Sequence, residues 1–280
     1  MKQKKGMVIA VAIVCTISVA AFFIVPYLVD AHRNKMIEQY TQNNIELYSE
    51  LNVISDCATI DDNLHSLAGI KEAFRLGADT VTVDLCFCVD GTPVVIDDYS
   101  DINDNTLRAE KIFELLNTDG YKHAKLNFRL RQLSSLSEFN RLVNEYDLSK
   151  RIMISGIDAD RYSLISGTDT PAKVYFDFEP SDDIEESVNA ATALVSEHNL
   201  SGIIINFDEA SSELIDTLSQ KGISYIVRSV DKESDMYLMM SYGVYAIETN
   251  HPDMLKDAYT GWQEITLKRL NATVMDELNK

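Results

Sequence analysis

The sequence predicts an α/β fold, a (β/α)8 TIM-type barrel with an N-terminal transmembrane helix, on the basis of three observations. From residue 51 onward, short runs rich in β-branched residues alternate with amphipathic segments, which is typical of βα units in a parallel sheet. An Asp90-Gly91 turn joins two of these runs as a hairpin, and eight runs remain once the hairpin strand is set aside. Eight parallel strands separated by helices match a closed barrel. Ahead of them, residues 7–29 contain no charged side chain.

Alternation within the strand-like runs indicates which side chains face the barrel interior. In the second run, alternate apolar residues suit the surrounding helices, while Thr82 and Asp84 point inward. In the fourth run, Arg129 and Arg131 point inward. An aspartate and two arginines directed into a barrel need partners or a ligand. The runs are 51–55, 80–87, 93–96, 124–130, 151–155, 173–178, 202–206, 224–230 and 244–248.

The uncharged run at 7–29 is long enough for a membrane anchor, because about 20 apolar residues in a helix span the hydrocarbon core. The alternative is a cleaved signal peptide, for which residues 18–20 (S-V-A) offer a cleavage site, but the apolar run continues well beyond them. Lysines before the run outnumber the cations just after it, which predicts a cytoplasmic amino terminus.

The predicted organisation therefore has three parts. Residues 1–30 form a cytoplasmic tail and transmembrane anchor, 31–50 a helical stalk, and 51–280 a barrel with a C-terminal helix. That last helix, over 261–280, is expected to pack Trp262, Ile265 and Leu270 onto the barrel. We expect a single-pass protein of the cell membrane, with the membrane as one partner and the barrel extracytoplasmic.

Charge and cysteine content exclude some functions. The chain has 44 Asp and Glu against 25 Lys and Arg, a formal net charge of −19, so an acidic surface would repel phosphate backbones and nucleic-acid binding is not expected. Three cysteines follow the anchor, Cys57, Cys86 and Cys88. A metal site is conceivable for them, but small buried thiols are the favoured interpretation.

Several motifs occur in an order that identifies a family. They are L-G-A-D at 76–79, V-D-L at 83–85, D-G-T-P-V-V at 90–95, G-V-Y-A-I at 243–247 and H-P-D-M-L at 251–255. This order resembles the glycerophosphodiester phosphodiesterase family across most of the outer domain. The resemblance implies a barrel that hydrolyses glycerophosphodiesters, with two histidines for proton transfer, three carboxylates that hold a divalent cation and an arginine that grips the phosphate.

The proton-transfer and phosphate-binding residues of that pattern are missing in this chain. The family's first His and its Arg fall at Ser55 and Asp56, and its second His falls at Asp97. His65 and His123 lie close enough in sequence to be displaced catalytic histidines, but we expect both to be solvated residues at the start of a helix or strand.

The cation-binding pattern is also incomplete. Thr82 replaces the Glu of the family's E-x-D pair, so that only Asp84 remains. In the family's E-x-K strand, Arg129 takes the place of the third carboxylate and Arg131 that of the lysine. No cofactor is therefore expected. The alternative is Ca²⁺ or Mg²⁺ held by Asp56, Asp84, Asp97 and Asp98.

These departures favour a membrane-anchored, non-catalytic barrel that binds a small phosphodiester ligand or a protein partner. The alternative is a divergent metal-dependent phosphodiesterase acting on glycerophosphodiesters or related phospholipid head groups. Arg129 is further expected to form a salt bridge with Asp84 across the former cation site, with Asp56 or Asp98 as a further partner. The candidate ligand-binding residues are Asp84, Asp98, Arg129, Arg131 and Arg228.

The anchor interpretation makes a direct prediction about the mature protein. If residues 7–29 stay in the membrane as one helix, mass spectrometry of the membrane fraction will find the chain intact from its first residues. A mature amino terminus near Ala21 would show instead that the segment is a cleaved signal peptide.

Overall fold

A closed sheet of parallel strands forms the centre of the computed structural model, which describes residues 27–28, 30–35, 51–56, 65–132, 134–159, 161–162 and 169–278. The first parallel strand pairs with both the second and the last strand, which closes the barrel. Two antiparallel strands, β3 and β4, extend the second strand outside the closed ring. The strands are β1 (Asn52–Asp56), β2 (Thr80–Phe87), β3 (Pro93–Val95), β4 (Leu107–Arg108), β5 (Lys125–Leu130), β6 (Ile152–Ile157), β7 (Lys173–Asp177), β8 (Gly202–Asn206), β9 (Tyr225–Arg228) and β10 (Ala246–Thr249).

Helices connect most of the strands, as the alternating pattern predicts. The first begins after Ser66, whose side-chain oxygen accepts a hydrogen bond from the Gly69 amide at 3.0 Å. The helices are α1 (Leu67–Arg75), α2 (Ala109–Leu116), α3 (Ser137–Glu145), α4 (Ile184–His198), α5 (Ser212–Gln220), α6 (Glu233–Ser241) and α7 (Pro252–Leu278). The predicted (β/α)8 barrel is confirmed.

Two apolar layers follow the strand alternation. The outer faces of the strands pack against the helices, and the Phe128 ring of β5 lies 5.0 Å from Phe139 in α3 and 5.6 Å from Phe113 in α2. Inside the barrel, a smaller cluster takes one buried residue from each of six strands. Its members are Ile54, Met153, Tyr175, Ile204, Ile226 and Ala246. This layer fills the interior and leaves polar side chains to the carboxyl ends of the strands.

The hairpin departs from the prediction in one respect. The Asp90-Gly91 turn joins β2 to β3 as expected, with Gly91 at φ +85° and the Asp90 carboxylate accepting from the Thr92 amide at 2.9 Å. A further strand, β4, pairs with β3 and was not predicted from the sequence. A strand of two residues is too short for an alternation of polar and apolar side chains to be recognised in the sequence.

Two compact units are present, Glu46–Gln263 and a second one made from Met1–Ile45 with Glu264–Lys280. Residues 261–278 of the predicted C-terminal segment are helical, as part of α7. Within the barrel unit, Trp262 is buried and stacks on Tyr237 with ring centroids 6.5 Å apart. The side chain of Leu270 lies outside the described residues.

The predicted anchor and stalk lie mostly outside the described residues, which include only 27–28 and 30–35 from this region and place them in a helix. Within the described part of the chain, no helix has both the length and the apolarity needed to cross a membrane. The anchor and the three domain boundaries therefore stay predictions.

Gly202 lies where two strands of the barrel wall pack closely. A Cβ at this position would overlap the Ser224 carbonyl oxygen and lie 2.8 Å from the Tyr175 ring. We expect Gly202→Ala to lower the free energy of unfolding by about 1–3 kcal/mol, since overpacking forces rigid neighbours apart. Gly120→Ala is the matched control, because nothing lies within 4 Å of its added Cβ. Equal denaturation midpoints for the two variants would contradict this close packing at Gly202.

Candidate functional site

The Arg129 side chain lies at the centre of a charged cluster at the carboxyl end of the barrel. Arg129 of β5 and Asp84 of β2 are direct partners in the register of two neighbouring strands, and both point inward. The Arg129 Nε donates to Asp84 Oδ1 at 2.6 Å, and Nη2 donates to Asp84 Oδ2 at 3.2 Å. The predicted salt bridge between Asp84 and Arg129 is confirmed, in a bidentate geometry.

Two further residues join this pair. Asp56, the last residue of β1, accepts from Arg129 Nη1 at 2.9 Å and from Nη2 at 3.2 Å. Arg131 approaches Asp84 from the other side, with Nε 2.8 Å from Oδ1. Asp98 does not join them. Its carboxylate accepts from the Ser100 amide and hydroxyl, both at 2.8 Å, and caps the turn at Tyr99–Asp101.

Asp84 and Arg129 are both largely buried, so each needs the opposite charge of the other to stay ionised. The side chains of Asp84 and Arg129 are 3% and 15% exposed. Burial by itself would raise the pKa of Asp84, but the hydrogen bonds and charge of Arg129 bring it below the ordinary value. Burial would likewise lower the pKa of Arg129, and the opposing hydrogen bonds and charges of Asp84 and Asp56 raise it. Both groups therefore stay ionised at neutral pH.

A buried polar chain lies beneath the ion pair. Asn127 Nδ2 donates to the Thr82 hydroxyl at 3.2 Å, and that hydroxyl donates to Glu248 Oε2 at 3.3 Å. The other Glu248 oxygen lies 3.8 Å from Arg129 Nη1. Burial first, and the nearby Asp56 charge second, raise the pKa of Glu248 to about 7. Glu248 can therefore exchange a proton near neutral pH.

His65 occupies a different place from the one predicted. It was expected to be solvated, but its side chain is 9% exposed, and Nε2 lies 3.4 Å from Asp84 Oδ2. Burial lowers the pKa of His65, and the charges of Asp84 and Asp97 oppose this only in part. No described residue bonds to its buried Nδ1. The other histidine, His123, is exposed at the opposite end of the barrel.

A pocket of about 300 Å³ opens beside Arg129. Arg228 borders it and donates from Nε to Asn206 at 2.7 Å and from Nη1 to Asp177 at 2.9 Å. Arg161 also borders it and donates to the Gly156 carbonyl at 3.2 Å. The charged residues that line the pocket are four arginines and four carboxylates, namely Arg129, Arg131, Arg161, Arg228, Asp56, Asp177, Asp231 and Glu248.

The structure thus gathers some of the predicted site residues and separates others. Asp56, Arg129, Arg131 and Arg228 line the pocket, and Asp84 binds two of these arginines. Asp97 is exposed at the rim, and Asp98 faces away into its turn. Ser55 is fully buried, and its hydroxyl contacts only the Asp56 carbonyl among the described residues.

Glu248 and Arg161 were not predicted from the sequence. Alternation in the last strand could have found Glu248, because Ala246 faces inward and Glu248 follows two residues later on the same face. Arg161 follows a strand in a connecting segment, where no periodic pattern indicates the direction of a side chain. Asp177 and Asp231 were also not predicted as pocket residues.

The residues present do not fit the divalent cation that the family resemblance implies. His65, Asp84 and Asp97 offer ligand atoms within 4.8 Å of one another. However, both Asp84 oxygens already accept hydrogen bonds from Arg129 and Arg131. A cation bound there would also face the fixed positive charges of these two guanidinium groups.

Comparison with known proteins agrees with this fold. Residues 114–254 match the family model described as "Glycerophosphoryl diester phosphodiesterase family". The glycerophosphodiester phosphodiesterase from Agrobacterium tumefaciens str. C58 is 14% identical, with 75% of this chain and 99% of that chain covered and a TM-score of 0.60. A glycerophosphodiester phosphodiesterase from Parabacteroides distasonis ATCC 8503 is 16% identical, with 76% of this chain and 98% of that chain covered and a TM-score of 0.58.

A third solved structure contains a bound molecule. The phosphodiesterase from Oleispira antarctica, in complex with the product sn-glycerol-3-phosphate, is 15% identical, covers 74% of this chain and 96% of its own, and has a TM-score of 0.53. At these identities the solved structures establish the shared fold alone. No curated protein matches the chain in sequence.

Removing the central guanidinium tests how far the cluster depends on it. Arg129→Met leaves the buried Asp84 with the half-exposed Arg131 and the neighbouring His65, so we expect the free energy of unfolding to fall by about 3–5 kcal/mol. Arg141→Met is the control, since Arg141 pairs with Glu138 and Glu145 on the exposed face of α3 and should lose far less stability. Denaturant unfolding measures both variants. Comparable losses would mean that the Asp84–Arg129 pair is no stronger than a surface pair.

The raised pKa of Glu248 predicts a pH effect with a definite sign. Between pH 4.5 and about 7, the folded chain keeps a proton on Glu248 that the unfolded chain releases, so stability falls as pH rises through this window. The Glu248→Gln variant has no carboxyl group to titrate at this position, so this fall in stability with rising pH should disappear. Relative to wild type, its unfolding free energy should rise by roughly 3 kcal/mol between pH 4 and pH 8. The exposed Glu179→Gln should show no such trend. If the unfolding free energies of wild type and Glu248→Gln change with pH in the same way, the pKa of Glu248 is not raised.

Proposed function

The chain belongs to the glycerophosphoryl diester phosphodiesterase family, and from this premise we propose that it is a membrane-anchored, extracytoplasmic barrel that binds a phosphodiester ligand without hydrolysing it. The single observation that supports the proposal is the position of Arg129. Its guanidinium group donates hydrogen bonds to the carboxylates of both Asp84 and Asp56. In the family pattern these positions serve the cation and the phosphate. In this chain Asp56 and Asp84 are bound instead by the guanidinium groups of Arg129 and Arg131.

The pocket beside this pair supports phosphate binding. Arg131 and Arg228 border it, and each keeps a terminal nitrogen, Nη1 and Nη2 respectively, for which no described residue is an acceptor. Arg161 donates from Nη1 to the Gly156 carbonyl, and no described residue accepts from its other nitrogens. Three guanidinium groups that border one pocket of about 300 Å³ can donate charge-assisted hydrogen bonds to phosphate oxygens.

The carboxylates of the pocket do not cancel this attraction. Arg129 binds Asp56 and Arg228 binds Asp177, whereas Asp231 accepts hydrogen bonds from the uncharged Thr249 and Asn250. Glu248, with a pKa of about 7, carries only part of a negative charge at neutral pH. The pocket is therefore less acidic than its residue count suggests. Comparison with the Oleispira antarctica phosphodiesterase, whose structure holds sn-glycerol-3-phosphate, supports a ligand of this class.

Divergent phosphodiesterase activity is the second candidate, and the acid–base groups of the mouth favour it. Glu248 titrates near neutral pH, and His65 lies 3.4 Å from Asp84. A proton donor and a proton acceptor beside a guanidinium group are the elements that phosphoryl transfer without a metal would require. Metal-dependent hydrolysis has less support, because the residues around Asp84 do not fit a divalent cation.

One set of measurements on the full-length protein separates the two functions. Calorimetry with sn-glycerol 3-phosphate and glycerophosphocholine should detect binding, and Arg228→Met should weaken it about tenfold or more. Arg141→Met, outside the pocket, should bind as wild type does. Release of glycerol 3-phosphate from glycerophosphocholine should stay at background with Mg²⁺, Ca²⁺ or Mn²⁺.

Three results would contradict the proposal. No binding of either compound at millimolar concentration would remove the ligand-binding function. Turnover that is lost in Glu248→Gln or in Asp84→Ala would show that the second candidate is correct. A rise in melting temperature with a metal ion, absent in Asp97→Asn, would show that the cation site at His65, Asp84 and Asp97 is functional after all.

A further inference from the structure

Most of the charges around the mouth pocket are matched by a neighbour of opposite sign. The central cluster contains two arginines and two aspartates, so its formal charge is zero. Arg228 and Asp177 form a second matched pair, with Nη1 and Oδ2 2.9 Å apart. Arg161 and Asp231 remain, as one cation and one anion on the lining of the same pocket. The members of the central cluster are Asp56, Asp84, Arg129 and Arg131.

Arg161 and Arg131 supply hydrogen-bond donors on one side of the pocket. Arg161 donates from Nη1 to the Gly156 carbonyl at 3.2 Å, and the carboxylate of Asp158 lies 3.8 Å from it, beyond hydrogen-bond distance. The side chains of Arg161 and Asp158 are 38% and 48% exposed, so solvent screens their attraction. Arg131 keeps Nη1, for which no described residue is an acceptor. A phosphate group in the pocket therefore finds donors from both arginines.

Asp231 presents a carboxylate that uncharged groups hold in place. Its Oδ1 accepts from the Thr249 hydroxyl at 3.1 Å and from the Asn250 amide at 2.8 Å, and its Oδ2 accepts from Asn250 Nδ2 at 3.0 Å. Among the described residues, no lysine, arginine or histidine forms an ion pair with Asp231. The position of this carboxylate is therefore fixed while its negative charge has no cation.

The closed ring of strands places these charges on opposite sides of the pocket. Its eight parallel strands follow the order β1, β2, β5, β6, β7, β8, β9 and β10, so β5 faces β9 and β6 faces β10. Arg131 follows β5, and Arg161 follows β6. Asp231 follows β9 and is bound to Thr249 at the end of β10. Glu248 of β10, with a pKa of about 7, adds part of a negative charge on that side. A ligand that spans the pocket therefore meets positive charge at one end and negative charge at the other.

The anionic side of the pocket suits a primary ammonium group better than a quaternary one. A quaternary ammonium group has no N–H donor and is bound mainly by the faces of aromatic rings. No aromatic side chain is among the described residues that line the pocket. A primary ammonium group donates up to three hydrogen bonds, and Asp231 Oδ2 accepts only one from the described chain, that of Asn250. The two groups therefore complement each other in charge and in hydrogen bonding.

The two sides of the pocket together select the class of ligand. We propose that the pocket binds a zwitterionic phosphodiester that ends in a primary ammonium group, with Asp231 as the residue that determines specificity. The phosphate lies against Arg131 and Arg161, and the ammonium group donates to Asp231 on the opposite side. This inference rests on the phosphodiester binding proposed above. A phosphodiester without an ammonium group leaves the charge of Asp231 unmatched and binds more weakly.

The test compares three diesters that share the sn-glycerol 3-phosphate half and differ in the other alcohol. Calorimetry on the full-length chain should find that glycerophosphoethanolamine binds about tenfold tighter than glycerophosphocholine or glycerophosphoglycerol. Asp231→Asn should weaken binding of the ethanolamine diester about tenfold and change binding of the glycerol diester less than about twofold. Asp101→Asn is the matched control, because Asp101 is exposed and lies outside the pocket lining, and its affinities should equal those of wild type.

The outcomes separate this inference from the function on which it rests. Equal affinities of the unaltered chain for the ethanolamine and choline diesters would overturn the inference and leave phosphodiester binding in place, whatever the stability of the variants. An equal loss of affinity for all three diesters in Asp231→Asn would also overturn it, since Asp231 would then only shape the pocket. If none of the three diesters binds, the proposed function fails and the inference fails with it.

Discussion

A guanidinium group held between two carboxylates is the interaction on which the mouth of this barrel depends. Arg129 donates to Asp84 at 2.6 Å and to Asp56 at 2.9 Å, and these bonds help to keep Asp84 and Arg129 ionised in a largely buried place. Any cation that binds Asp84 must first displace the Arg129 side chain, which cannot lose its charge near neutral pH. The same bonds account for the stability of the cluster and for its poor fit to a divalent metal.

The scaffold tolerates this change because its stability comes from elsewhere. The outer strand faces pack against helices through residues such as Phe128, and the interior layer around Ile204 fills the barrel below the mouth. Polar residues are concentrated at the carboxyl ends of the strands, where (β/α)8 barrels place their functional groups. A family fold can therefore persist while the chemistry at its mouth changes. Glu248, with a pKa of about 7, is the residue through which acid–base chemistry could still operate.

The sequence predicts the barrel and its central ion pair because both follow from local patterns. Alternation along the second and fourth predicted runs directs Asp84 and Arg129 inward, and the parallel register places them side by side. Residues whose position depends on loops could not be predicted in this way. His65 has a left-handed backbone, φ +58°, which turns it into the site, and Arg161 reaches the pocket from a helical segment in the connection after β6. Asp98 lies in a turn because its carboxylate binds the Ser100 amide two residues later. Burial, which raises the pKa of Glu248, is a property of the assembled barrel.

A double-mutant cycle on Asp84 and Arg129 tests most directly whether the guanidinium has replaced the family's cation. The unfolding free energies of the wild type, Asp84→Asn, Arg129→Met and the double variant give the energy that couples the two side chains. If the pair replaces the cation, the coupling energy should reach about 2–3 kcal/mol and exceed that of a parallel cycle on Asp84 and the more exposed Arg131. Effects that add to within about 0.5 kcal/mol would show that Arg129 and Asp84 contribute independently, and that the guanidinium does not stand in for the cation.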